Sequence, residues 1–139
     1  MISIPESHKD LIEGPYNVVL TTVMPDGHPQ TTPVWCNRKG DDVLINTMKG
    51  FRKEKNMRTN PKVTLLAYDP TNPLRNIEIR GTVVGLTEVG ALEHLNELTQ
   101  LYLGSADARF FGDSVPVELQ ATHSPVRVKI APSRIRIEG

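Results

Sequence analysis

Short β-branched runs, each closed by a tight turn, constrain this chain more than any other feature. Asn17-VVLTTVM alternates and is rich in Val and Thr, which predicts a strand. Pro25-Asp26-Gly27 then reverses the chain, because proline fixes φ and glycine accepts positive φ. Gln30-TTPVWCN returns as a second strand, so the pair reads as a hairpin. Pro33 cannot donate a ladder hydrogen bond, which places that strand at an edge or a bulge. Lys39-Gly40-Asp41-Asp42 is a further turn, followed by strands at Val43-LIN and Val63-TLLAYD. Asn76-IEIRGTVVGLTE is a long strand with Ile77, Ile79, Gly81 and Val83 on one face, and Gly81 marks a bulge or a close backbone approach. Val126-RVKI is the last clear strand, which Ile135-RI continues or pairs with.

Helices are few. Pro5 to Glu13 predicts a short one that buries Leu11 and Ile12. Arg52 to Thr59 predicts another, ended before Pro61. Gly90 to Leu103 is amphipathic through Leu92, Leu95, Leu98 and Tyr102, with Gly104 as its C-cap. Residues 107–123 carry no clear pattern. Short strands joined by tight turns favour a mainly β fold, an antiparallel barrel of one domain over residues 1–139. Exposed edges in so small a barrel favour dimerisation.

Charge is uneven. The 16 Lys and Arg balance the 16 Asp and Glu, so nothing global points to nucleic acid or an anionic membrane. Yet Lys49, Arg52, Lys53, Lys55, Arg58 and Lys62 cluster within a short stretch, offset only by Glu54. Such a segment is often a solvated face. Here it follows a strand, contains Gly50 and opens a helix, whose N-terminus favours an anion. With the Thr47 hydroxyl it makes a phosphate cradle. It is neither a P-loop nor a dinucleotide fingerprint, since GxxxxGK[ST] and GxGxxG are both absent. Phe51 is the lone aromatic in the basic stretch, which speaks against nucleic acid.

Catalytic and metal signatures are missing. His8, His28, His94 and His123 show no metal spacing, and no Ser/His/Asp or Cys/His order is visible. His28 in its turn and His94 beside Glu93 and Glu97 read as surface residues, and His123 as a residue that could lie by a site. Cys36 is the single cysteine, so no internal disulfide forms; strand alternation turns it away from Trp35, as a packing residue. Arg80 reads as a partner of Glu78 or Glu88, and Tyr68 and Tyr102 as core or interface. No apolar run is long enough to span a membrane, and the chain reads as cytoplasmic.

The order DG-x-P-Q, PVW and T-x-K-x-x-RK-x-x-N-x-x-x-NP-x-V, from Asp26 to Val63, carries a resemblance. With TTVMPDGHPQTTPVWC before it and IEIRGTVV after it, this chain is similar to flavin and deazaflavin oxidoreductases of the pyridoxamine 5'-phosphate oxidase-like, FMN-binding split β-barrel family. The resemblance implies a Greek-key-like split barrel and a homodimer with cofactor sites at the interface. It implies that the strand of Pro33, Val34 and Trp35 runs beside a tricyclic ring. Thr47, Arg52 and Lys53 would hold the cofactor phosphate, with Lys55 adding to the grip. Gln30, Thr31 and Thr32 fall where ring or ribityl contacts are expected in the branch that uses the deazaflavin coenzyme F420.

The ending SRIRIEG lacks the Arg- and His-bearing substrate motif of pyridoxamine phosphate oxidases proper. F420 is therefore expected ahead of FMN, with hydride passing to a small enone, activated alkene or quinone. Lys49, Lys55 and Arg58 would suit the coenzyme's anionic tail. An FMN-dependent oxidoreductase and a non-catalytic flavin- or haem-binding protein are the alternatives.

Overall fold

Seven strands hydrogen-bond in the order β2-β1-β5-β6-β7-β4-β3, antiparallel at every junction. They are β1 (Val18–Val23), β2 (Pro29–Val34), β3 (Cys36–Lys39), β4 (Asp42–Met48), β5 (Lys62–Asp69), β6 (Asn72–Thr87) and β7 (Pro125–Glu138). The computed structural model describes residues 2–139. Its two edge strands, β2 and β3, are consecutive in sequence with only Trp35 between them. A flat sheet would hold those edges six inter-strand steps apart, and one residue cannot span that distance. The sheet therefore curls until its edges almost meet, and the result is a split barrel.

Alternation fills the interior. Val18 and Leu20, Val43 and Ile45, Leu65 and Ala67, and Ile77 and Ile79 all point inward and lie fully buried. Two helices cover the barrel ends. Helix α1 (Asp10–Glu13) packs Leu11 and Ile12 against β3 and β5, and α2 (Arg52–Thr59) lies on β1 and β4. The third, α3 (Ala91–Leu103), lies across β4 and β7, bounded by Gly90 and Gly104, both left-handed.

Strand positions and turns follow the sequence closely, with one main difference at Trp35. The expected single strand from Gln30 to Asn37 breaks at Trp35 into two strands on opposite edges, because the chain must cross the split there. Pro33 does lie on an edge strand, where its missing donor faces no partner. Of the two courses open to Ile135-RI, continuation is the one observed: both apolar runs form one strand, β7, which bends at bulges against β6. Residues 110–114, without a clear pattern in sequence, form a tight non-helical loop beside α3, closed by the Val115 amide on the Phe110 carbonyl, and residues 117–121 form a short helical turn against that loop.

Arg80 pairs with Glu78 at 3.3 Å. Cys36 is fully buried, donates to the Ile12 carbonyl, and its thiol is pushed up to about 12 by burial, so it is inert packing.

Gly81 sits at the register shift of β6 against β7. A Cβ there would stand 2.6 Å from Ile130 Cγ2 and 2.8 Å from the Ala131 carbonyl oxygen. The glycine is required by space, and the bend of the barrel depends on that close approach. Gly81→Ala is expected to destabilise the fold by about 1–3 kcal/mol through overpacking. Chemical denaturation measures it, and a parental midpoint would contradict this account of the bulge.

Candidate functional site

The split in the barrel is also its cavity. Strand β4 outruns its neighbour β3, whose pairing ends at Cys36 opposite Ile45. Asn46, Thr47 and Met48 therefore continue past β3 toward the gap, while β2 ends at Val34 on the other side. Between them lies a cavity of about 280 Å³, lined by Pro33, Val34 and Trp35 on one side and by Asn46, Thr47 and Met48 on the other. Leu95 and Leu98 of α3 and Phe110 complete an apolar wall, and Phe51 and Lys53 stand where α2 begins. The volume is near the lower end for small-molecule sites.

Trp35 is held rigidly. Its ring stacks on Tyr102 with centroids 5.0 Å apart and meets Phe110 edge-on at 6.3 Å. Tyr102 is itself fixed, because its hydroxyl donates to the Tyr16 carbonyl at 2.5 Å and accepts from the Cys36 amide at 3.0 Å. Burial raises the Tyr102 phenol well above its ordinary value, so it stays protonated.

At the other end, Phe51 is the N-cap of α2 and provides no side-chain acceptor. The first-turn amides of Arg52, Lys53 and Glu54 consequently lack intrahelical acceptors. Glu54 caps none of them: it is 2% exposed, accepts from the Gly50 amide at 2.8 Å just before the helix and takes the Arg58 guanidinium. Lys53 is half-buried, and burial pulls its ammonium below the ordinary lysine value. An anion beside it would offset that cost. Thr47 is 6% exposed, and its Oγ1 has no hydrogen-bond partner, as is true of Asn46 Oδ1. Two buried, unpartnered oxygens among the lining residues of one cavity make it the candidate site for a polar ligand.

Of the residues singled out by sequence, Pro33, Val34, Trp35, Thr47 and Lys53 converge on this cavity. Arg52 and Gln30 do not line it. They share a network beside it, in which Asn56 accepts from Arg52 at 3.3 Å and donates to Thr22 at 3.0 Å, and Thr22 donates to Gln30 at 3.0 Å. Thr31 bonds Thr21 at 3.0 Å on the exposed side of β2, next to Thr32. Lys55 is exposed. Lys49 and Arg58 are engaged with Glu88 and Glu54, so neither is a free cation.

Sequence reasoning missed Asn46, Phe110 and Phe51 as lining residues. Asn46, a carboxamide flanked by Ile45 in an apolar strand, was the available signal for the first. His123 packs edge-on against Phe51 at 5.9 Å, which puts it next to the cavity.

His94 is not a surface residue. It is 4% exposed and bridges Asn37 and Asn46, because the face of α3 that carries it packs onto β4 and β7. Among the described residues no cluster of His, Cys, Asp or Glu could hold a metal ion. Among the same residues no helix is long and apolar enough to cross a membrane.

The family model for pyridoxamine 5'-phosphate oxidase matches residues 4–137. The chain belongs to this family. Among solved structures, this family member is similar to an F420 reductase, 26% identical, with a TM-score of 0.79 over 96% of this chain and 98% of the other. A conserved hypothetical protein of Mycobacterium tuberculosis shares the fold at 22% identity and a TM-score of 0.70, covering 99% and 86% of the two chains. A Listeria innocua protein described as a candidate pyridoxamine 5'-phosphate oxidase is 25% identical, with a TM-score of 0.65 over 91% of each chain. No curated protein matches the chain.

Burial and the nearby Arg127 guanidinium lower the His94 imidazole to about 4. That lies below the ordinary value of 6.5, so the unfolded chain takes up the proton first. The stability this residue confers is complete above about pH 6.5 and declines as pH falls toward 4, by at most about 3 kcal/mol. Melting curves at neutral and acid pH should show a shallower acid loss in His94→Gln than in the parent. Equal slopes would refute the buried, neutral assignment.

Proposed function

We propose that this protein is an F420-dependent oxidoreductase that passes hydride to a small organic acceptor, working as a cytoplasmic homodimer. The observation that carries the reading is the cavity. It joins an apolar slot, walled by Trp35 and Phe110, to an anion-ready end made of Thr47 Oγ1, Lys53 and the open first turn of α2. A planar ring suits the slot, and a phosphate suits the end. When bound, the deazaflavin would supply the hydride chemistry.

The chain's own residues bind, orient and exclude water. Pro33, Val34 and Trp35 would flank the ring. Thr47 and Lys53 would hold the phosphate, with Arg52, steadied by Asn56, and Lys55 at its outer side. Gln30, Thr31 and Thr32 would stand along the β2 edge. The apolar wall from Leu95, Leu98 and Phe110 would keep water from the reacting face. Among the described residues Lys53 is the one titratable side chain lining the cavity, and it stands at the phosphate end, so solvent would supply the proton to the reduced acceptor.

The F420 reductase, similar over nearly the whole of both chains, supports the deazaflavin over FMN. Exposed Lys55 and Lys62, neither ion-paired among the described residues, add positive charge outside the cradle for an anionic tail. Dimerisation is supported by Leu66 and Tyr68, which stand out from the outer face of β5 at 38% and 39% exposure. FMN would use the same cradle.

Titration of the apo protein with F420 and with FMN, read by Trp35 fluorescence, tests the reading. F420 is expected to bind more tightly, and the reverse order would favour the FMN-dependent alternative. Lys53→Ala is expected to weaken the preferred cofactor by at least about tenfold, and Thr47→Val by about three- to tenfold. Parental affinity in both variants would sink the phosphate cradle.

A further inference from the structure

The partners of Asn46 fix which way its carboxamide faces. Asn46 Nδ2 lies 2.9 Å from the Ala91 carbonyl oxygen, which can only accept, so that nitrogen faces α3. The same Nδ2 lies 3.2 Å from His94 Nδ1. An amide nitrogen only donates, so His94 Nδ1 is an acceptor and its proton sits on Nε2. Nε2 in turn donates to Asn37 Oδ1 at 2.9 Å. The direction of the chain is settled: His94 donates to Asn37, and Asn46 donates to His94 and Ala91. Burial keeps the imidazole neutral, the form this order requires.

Asn46 has thus committed its nitrogen to α3, and its Oδ1 is left buried without a partner in a residue that lines the cavity. Arg127 is its cross-strand neighbour on β7, yet gives it no hydrogen bond. A buried acceptor without a donor is costly, and in a residue that lines a cavity it points to a donor on the occupant, which a small shift of the carboxamide would let it meet.

We infer that His94 is a positioning residue that sets Asn46 Oδ1 as the cavity's acceptor, and that the ligand brings a neutral N–H or O–H donor to it. The inference rests on the cofactor reading above. Flavin-type cofactors carry two such donors, the imide N–H of the ring and the hydroxyls of the polyol chain. An acceptor is neutral toward the phosphate end, so its effect is separable from the cradle.

Calorimetric titration with lumiflavin, riboflavin, FMN and F420 tests it on the parent, Asn46→Leu, His94→Leu and His94→Asn. Asn46→Leu is expected to weaken riboflavin about five- to tenfold, and His94→Leu by a similar factor. The double variant should bind no worse than either single, because both remove one interaction. His94→Asn keeps an acceptor for Asn46 and should recover most of the affinity. A loss that persists with lumiflavin assigns the ring N–H; a loss confined to riboflavin and the full cofactors assigns a polyol hydroxyl.

Should His94→Leu fail to fold, Asn37→Ala replaces it. That variant removes the acceptor that fixes the imidazole proton, and about a two- to threefold loss is expected. Parental affinity in Asn46→Leu or Asn37→Ala, or additive losses in the double variant, would overturn the inference alone. A parent protein that binds none of the four probes would overturn the cofactor reading and this inference together.

Discussion

One residue, Trp35, joins the two edges of the sheet, and the rest of the structure follows from that short link. A seven-stranded sheet whose first and last strands are consecutive must curl, and its interior then fills with the inward residues of every strand. The closure is incomplete because β2 and β3 share no ladder. The gap that remains is the cavity. Trp35 is both the link and a wall of that gap, and Tyr102 ties it to Tyr16 and Cys36 from the side of α3. Closing the barrel and shaping the site are therefore one operation, carried by a stacked aromatic pair and two hydrogen bonds.

Electrostatics at the other end of the cavity are organised by Glu54. The stretch from Lys49 to Lys62 looks like a uniform block of positive charge in sequence. In the fold it is divided. Glu54 is buried, spends one oxygen on the Gly50 amide and the other on Arg58, and so absorbs one cation while shaping the turn into α2. Lys49 leans toward Glu88 at the surface, a contact worth little. Among the described residues Lys53 has no counter-ion, and it lies half-buried beside the unfilled donors of the helix. A chain with no net charge thereby holds a local positive field where the helix dipole adds to it.

The elements were legible because each is locally consistent. Alternating Val, Ile and Thr gave the strands, Gly27 and Gly40 gave positive φ at their turns, and Leu95 and Leu98 gave the buried face of α3. The crowding at Gly81 was also readable, since a glycine inside a strand has few other reasons to be there. What sequence could not give was closure. Nothing local distinguishes a strand that ends at Trp35 from one that runs through it, because the break is imposed by the far edge of the sheet. His94 was misread for a related reason. Its neighbours Glu93 and Glu97 face solvent, whereas one helical step rotates His94 onto β4. Gln30 and Arg52 were placed in the right neighbourhood but one shell out, joined through Asn56, whose role no spacing announces.

The division of the cavity into chemically distinct parts bears on how such a site would discriminate between cofactors. Apolar walls contact any flat ring similarly, and removing or adding one small group there changes affinity only modestly. A phosphate cradle likewise serves every phosphorylated ligand. Flavin and deazaflavin would meet Trp35, Phe110, Thr47 and Lys53 on nearly equal terms. Beyond the ring's own substituents, they differ in the charge and length of the tail past the phosphate, which would leave a cavity of this size for the open surface. Discrimination would then fall on exposed cations such as Lys55 and Lys62, where salt screens each contribution. On the proposed reading, the buried part of the site would decide that a flavin-type ligand binds, and the exposed part would decide which one.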